Sequence, residues 1–294
     1  MPKQKRIKTN SATIIDLNSM YRPDIENDVL LKYIPHGIDE TVYRPVDINS
    51  VEEITYNGKQ MPEYQAYLDF KNQILKDRDW QFIVFYNSRN IHRKHPGDVV
   101  LAFRQFVDML PESERDKTAL IMHTSVVDDH GTDLGAVKEV IATNYNVFFT
   151  HQKFDPKSVS FLYNIADVTI NLSSNEGFGL TPCESLMSGT MIIANCTGGL
   201  QDQMGFRDKK GDLIKHNKHY SDKWGSNHDK KYTDHGDWVV PVWPTSLTLA
   251  GSPPTPYIFD DRCSSEDAAH AIMEVYEMGK EERDRRGKLG REYL

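Results

Sequence analysis

The stretch from Asp167 to Gly189 constrains the fold more than any other part of the chain. Asp167-Val168-Thr169-Ile170-Asn171-Leu172 alternates apolar and polar residues, the mark of a strand leaving a core. Ser173 to Gly179 follow as a small, glycine-bearing turn. Thr181 then reads as a helix N-cap, with Pro182 at the first helical position and Glu184 three residues after Thr181. A strand, a glycine turn and a helix N-terminus in direct succession make a ready anion site. The first helical N–H groups lack intrahelical acceptors, and the helix dipole places positive potential where they point. Gly177 and Gly179 let the backbone approach a ligand closely. Two carboxylates flank the turn, Glu176 before it and Glu184 eight positions later. Each has a purely structural alternative: Glu184 as the capping-box partner of Thr181, and Glu176 as a solvated side chain in a surface turn.

Around this unit the chain alternates apolar runs with helical spacings. Gln81–Tyr86, Thr118–His123, Asn146–Thr150, Thr190–Ala194 and Trp238–Trp243 read as strands. Between and around them, helices are expected over 63–77, on the face marked by Val99, Val100, Phe103, Phe106 and Val107, over 134–143, over 157–165, and from Ser265 with Ala268, Ala269, Ile272, Val275 and Tyr276 inward. Such alternation predicts an α/β fold, a doubly wound, parallel, Rossmann-like sheet, in which ligands gather at the loops leaving the strands' C-terminal ends. The loop after the first strand is basic, with Arg89, Arg93 and Lys94. His123 ends the second strand, where it either faces the site or is a satisfied core or edge histidine.

Composition narrows the function classes. Among 294 residues, 38% hydrophobic and 27% charged describe an ordinary globular chain, and the net charge of −8 argues against broad nucleic-acid or anionic-membrane binding. No apolar run is long enough to span a membrane, and the basic N-terminus lacks a signal peptide's apolar core. Cys183, Cys196 and Cys263 do not make a disulfide framework or a zinc site, which points to a reducing, cytoplasmic compartment. The only D-x-D, Asp77-Arg78-Asp79, falls at the end of an expected helix. Residues 46–62 read as a polar connector, and Pro253-Pro254-Thr255-Pro256 as a rigid turn. Residues 205–237 hold eight Lys/Arg, six Asp and four histidines, so they form a polar excursion outside the core. That excursion is either a solvated flap or a binder of an acceptor, or of a metal through His216, His219, His228 and His235.

The string Glu176-Gly177-Phe178-Gly179-Leu180-Thr181-Pro182-Cys183-Glu184, with Ser185-Leu186-Met187-Ser188-Gly189 after it, resembles the E-x7-E signature of retaining GT-B glycosyltransferases of the group 1, family-4-like class. Tyr163-Asn164-Ile165-Ala166-Asp167 resembles the Y-x-x-A-D that leads into it, and Gly198-Gly199-Leu200 also fits. Arg89 and Lys94 match the family's R-x4-K pair, with Ser88 in place of the usual glycine. Tyr33 to Asp39, followed by Val42-Tyr43-Arg44-Pro45, resembles the I-P-N-G-I-D segment that enters the family's C-terminal domain, with His36 replacing the asparagine. Thr150-His151-Gln152-Lys153 lacks the usual glycine, so the nucleotide base is not carried over.

The resemblance implies a nucleotide-sugar donor (UDP-, GDP- or ADP-linked) and no required cofactor or metal. Arg89 and Lys94 would hold the diphosphate, the backbone of Gly177, Phe178, Gly179, Leu180 and Thr181 would hold sugar and phosphate, Glu176 the donor sugar, and Glu184 the ribose. It covers residues 33–294, the donor-binding half. Residues 1–32 then form an arm or a remnant of an N-terminal GT-B domain that is largely absent. The acceptor is unidentified, and a partner chain supplying the acceptor domain is one expectation. Two other readings stay open: a nucleotide-sugar epimerase, and a non-catalytic nucleotide-sugar-binding subunit.

Overall fold

The computed structural model describes residues 5–9, 29–33, 36–214, 230, 232–251, 253 and 258–294. Strands β1 (Lys5–Thr9) and β2 (Val29–Tyr33) pair in parallel. The expected connector instead carries a hairpin, β3 (Glu53–Tyr56) and β4 (Lys59–Pro62). Its turn is Asn57-Gly58, both at positive φ (50° and 76°), as a two-residue turn matched to strand twist requires. Helix α1 (Glu63–Leu75) follows directly.

The core is a six-stranded parallel sheet. In chain order its strands are β5 (Phe82–Asn87), β6 (Thr118–His123), β7 (Val147–Thr150), β8 (Val168–Asn171), β9 (Met191–Asn195) and β10 (Val239–Val242). Their spatial order is β10-β9-β8-β5-β6-β7. The chain winds outward from β5 through β6 to β7, then returns to the other side of β5 at β8. This is the dinucleotide-fold order, and the crevice between the loops after β5 and β8 is its switch point. Asp77 and Asp79 precede β5, at the sheet edge opposite that crevice, where Arg78 lies over the Trp80 ring at 4.3 Å.

Each face of the sheet is apolar because each is covered. Phe82, Val84 and Tyr86 pack with α2 (Pro96–Met109), through Val99, Phe103 and Phe106, and with α7 (Ser265–Glu277), through Ala268, Ile272 and Val275. Ile83 and Phe85 point the other way, onto Ala66 and Phe70 of α1 and Phe161 and Leu162 of α5 (Pro156–Ile165). The short helix α3 (Glu112–Arg115) and α4 (Leu134–Ile141) complete this half. Helix α6 (Leu180–Met187), β9, β10 and α8 (Gly279–Tyr293) close a third cluster with Phe206 and Trp238. A second hairpin, β11 (Ser246–Leu249) with β12 (Phe259–Arg262), was not legible from residue pattern.

The polar excursion is anchored at both ends. Phe206 is buried against Trp243, and Arg207 bridges to Leu213 and Asp234. Gly205 and Gly236 both sit against the Trp238 ring, where a Cβ would come within 2.7 Å and 2.4 Å. The expectation that this stretch buries little therefore fails at its ends. His216, His219 and His228 lie outside the described residues, as do Pro254 and Pro256, while His235 Nδ1 meets the Gly236 carbonyl at 2.9 Å.

Candidate functional site

Two loops meet at the switch point. The β5 loop turns through His92–Lys94, and its carbonyl at Arg93 accepts the Ser174 N–H at 2.8 Å, joining it to the β8 loop. Lys94 Nζ is ion-paired with Glu176 Oε2, and both side chains are shielded, at 11% and 14% exposure. Arg93 donates to the Asn175 carbonyl at 2.8 Å and to Glu176 Oε2 at 3.4 Å. Beside them opens a cleft of about 320 Å³ lined by His36, Lys94, Glu176 and the run Gly177-Phe178-Gly179-Leu180-Thr181. Seven of these eight residues were expected at the site. The eighth, His36, stands where the resembled motif has asparagine and lines the cleft with its ring edge-on to Phe178 at 5.0 Å.

Arg89 stands apart. Its guanidinium is 62% exposed and paired with Asp128 (Nε–Oδ2 3.0 Å), which holds the Asp128 carboxyl below the usual range. The cation that shares Glu176 with Lys94 is Arg93, which lies outside the R-x4-K pair. His123 is a partnered histidine at the end of the interior strand β6, not one of the cleft-lining residues: Nδ1 lies 2.9 Å from both Thr150 oxygens, and the ring stacks on Phe154.

The helix start differs from expectation. Gly179, at φ 88°, is the N-cap and Leu180 the first helical residue, so Thr181 and Pro182 sit two positions deeper in the helix than expected. A left-handed glycine reverses the chain in one residue, leaving Thr181 no capping role. Glu184 consequently makes no capping box. It accepts a hydrogen bond from the Tyr163 hydroxyl at 2.7 Å, with Tyr43 as a second partner. Burial pushes its carboxyl above the ordinary range, and the two tyrosyl hydroxyls oppose that rise. Tyr163 is itself fixed by Asn87 Nδ2 at 2.8 Å, so hydrogen bonds join β5, α5 and α6 through Glu184, which is not among the residues lining the cleft.

A 3₁₀ turn, Gly198–Gln203, braces the cleft from the protein side. The Gly199 N–H donates to the Glu176 carbonyl at 2.8 Å. A Cβ on Gly199 would lie 2.3 Å from the Gly177 carbonyl oxygen, and one on Gly198 2.3 Å from that of Glu176. Backbone meets backbone here, so no side chain can yield. Gly199→Ala is expected to displace Glu176 and Gly177 and to weaken ligand binding in the cleft at least tenfold; an unchanged affinity would show that the turn tolerates the shift. The β8 loop is also held by β12: the buried Asp261 takes Thr197 Oγ1 at 2.7 Å, its N–H donates to the Ser174 carbonyl, and Asn175 bonds to Asp260 at 2.5 Å.

The electrostatics suit an anion. Burial lowers the Lys94 ammonium from the ordinary lysine range, with Glu176 pulling it back up. An anion in the cleft favours charged Lys94, so its binding is linked to proton uptake. Affinity should therefore fall as pH rises through the lowered pKa of free Lys94. Titration of affinity against pH checks this, and Lys94→Arg, which stays charged, should abolish the alkaline fall. Among the described residues no cluster of three or more metal-ligating side chains occurs, and no helix is long and apolar enough to cross a membrane.

Residues 69–223 match the profile of the family described as Glycosyl transferases group 1. No curated protein matches the chain. Among solved structures, the sucrose-phosphate synthase of Thermosynechococcus elongatus superposes with a TM-score of 0.60 at 19% identity, over 98% of this chain and 53% of that one. Anabaena HepE in complex with UDP-glucose gives 0.61 at 13% identity, over 98% and 58%. The C-terminal domain of a glycosyl transferase group 1 family protein from Francisella tularensis gives 0.52 at 14% identity, over 87% of this chain and 96% of that one. The chain thus spans just over half the length of the first two, and at these identities the likeness is one of fold.

Proposed function

Because the chain belongs to the group 1 glycosyl transferases, as the match over residues 69–223 establishes, we propose that its cleft binds a nucleotide-sugar and that the protein transfers the sugar to an acceptor hydroxyl with retention. The observation that carries this reading is the convergence of Lys94, Glu176 and the Gly177–Thr181 backbone on one cleft at the sheet's switch point. The acceptor oxygen bonds to the sugar's anomeric carbon, the bond from that carbon to the diphosphate breaks, and the hydroxyl proton passes to the departing phosphate oxygen on the same face.

The protein's work is then to meet charge as it gathers on the diphosphate. Lys94 supplies a compact point charge beside the cleft, and the α6 dipole and the first amides of the helix add to it. The donor must draw Lys94 from Glu176, which frees that carboxylate for a sugar hydroxyl. Arg89 contributes only after leaving Asp128, so its share is smaller than its motif position suggests. Glu184 keeps unoccupied lone pairs beyond those taken by the two tyrosines, enough to accept from ribose hydroxyls. The scheme calls for no metal or cofactor. The donor is a UDP-, GDP- or ADP-sugar, and UDP is the first to try because Anabaena HepE is seen with UDP-glucose. An acceptor domain supplied by a partner chain, and a cytoplasmic setting, complete the reading.

The test is incubation of the protein with a panel of nucleotide-sugars, with and without candidate sugar acceptors, followed by separation of the products. Release of nucleoside diphosphate that rises with acceptor supports transfer. An epimerised nucleotide-sugar formed without acceptor, or binding with no turnover under any acceptor, would replace this reading by an isomerase or a binding subunit.

A further inference from the structure

Gln203 is buried to 1% exposure at the end of the Gly198–Gln203 turn, on the protein side of the cleft wall. Its Nε2 donates to two successive backbone carbonyls, Phe178 at 2.6 Å and Gly179 at 2.7 Å. Both peptide groups are trans, and in a trans peptide the C=O of one residue and the N–H of the next point in opposite directions. Drawing the Phe178 carbonyl inward therefore turns the Gly179 N–H outward, and drawing the Gly179 carbonyl inward does the same for the Leu180 N–H. Both residues line the cleft, and Gly179 is left-handed and Leu180 helical, so the two N–H groups form a concave anion-accepting corner.

We propose that Gln203 is a positioning residue: its side-chain amide clamps the carbonyls of Phe178 and Gly179 so that the amides of Gly179 and Leu180 face the donor diphosphate. Only a side chain with a donor of this reach serves. The carboxamide has two N–H groups on one nitrogen, enough for both carbonyls at once. Gly179 is part of the device, because a Cβ there would come within 3.2 Å of Gln203 Nε2 and 2.7 Å of Leu200 Cδ2. Neither the helix-start pattern nor the flanking glutamates single out Gln203, since its partners lie 24 and 25 positions earlier in the chain.

The proposal rests on the nucleotide-sugar reading, and the test separates the two. Gln203→Met keeps the volume and removes both donors. Calorimetric titration of the wild type and of this variant uses UDP, GDP and ADP, beside the matching nucleosides. The expected result is a loss of about tenfold in affinity for whichever diphosphate the wild type binds, with affinity for the nucleoside unchanged, in a variant that is folded at the temperature of the titration. Gln203→Glu gives a second readout. As a carboxylate it cannot donate, and as a carboxylic acid it regains one donor, so its diphosphate affinity should recover towards the wild-type value as pH falls. Diphosphate affinity equal to the wild type's in folded Gln203→Met, or in folded Gln203→Glu at a pH where its carboxylate is ionised, overturns the role of Gln203 alone. A folded wild type that binds none of the three diphosphates overturns the nucleotide-sugar reading and this proposal with it.

Discussion

Lys94→Ala is expected to lower turnover by about 10²–10³-fold, while Arg89→Ala costs no more than about tenfold. The asymmetry comes from position. Lys94 is shielded in the cleft wall beside Glu176, where low solvent access strengthens its hold on developing negative charge. Arg89 is 62% exposed and already neutralised by Asp128. Steady-state kinetics of the two variants decide the matter. Equal losses would mean that Arg89 swings from Asp128 onto the diphosphate when the donor binds, and near-wild-type turnover in Lys94→Ala would remove the diphosphate clamp. Arg93→Ala is a useful third variant, because Arg93 holds the Asn175 carbonyl and Glu176 rather than facing the cleft.

Arg283→Ala should destabilise the fold by about 3–5 kcal/mol, the effect of stripping a buried carboxylate of its partner. Arg283 reaches from α8 to Asp167 Oδ1 through Nε at 3.1 Å and Nη2 at 2.9 Å, and also caps the carbonyls of Val275 and Tyr276. The other Asp167 oxygen accepts the Ile83 N–H at 2.8 Å. One carboxylate thus registers β8 against β5, on either side of the switch point, and fastens the C-terminal helix beneath them. Burial raises the Asp167 carboxyl while the Arg283 charge opposes the rise. Denaturant titration of the variant measures the loss. A change below about 1 kcal/mol would mean that water reaches Asp167 once the arginine is gone. Asp167→Asn in the same background should recover part of the stability, since the amide still has an oxygen for the Ile83 N–H and no charge to bury.

The parallel sheet was legible because its central strands β5 and β6 are buried along nearly their whole length and read as apolar runs, while β8 shows as an alternating run; Phe82–Asn87 and Thr118–His123 fall within a residue of where those runs place them. The doubly wound order follows from the alternation with helices, and the switch point follows from the order. The hairpin at 53–62 escaped because its strands are half exposed and short, although Asn57-Gly58 marked the turn plainly. At the helix start, the pattern Thr-Pro-x-Glu gives a sound capping signal that a left-handed glycine two residues earlier overrides. That same override frees Glu184 for Tyr163 and Tyr43, contacts between distant segments that no local pattern contains. Arg93, His36, Gln203 and Asp261 were missed for the same reason: each is placed by tertiary packing rather than by spacing.

The central claim is that the cleft beside Lys94 and Glu176 holds the diphosphate of a nucleotide-sugar. Calorimetric titration of the whole chain with UDP, GDP and ADP, alongside Lys94→Ala, tests it most directly. The account predicts saturable binding of at least one of the three, lost or weakened at least tenfold in the variant. Binding that Lys94→Ala leaves intact, or no binding by a folded wild-type chain, would contradict it.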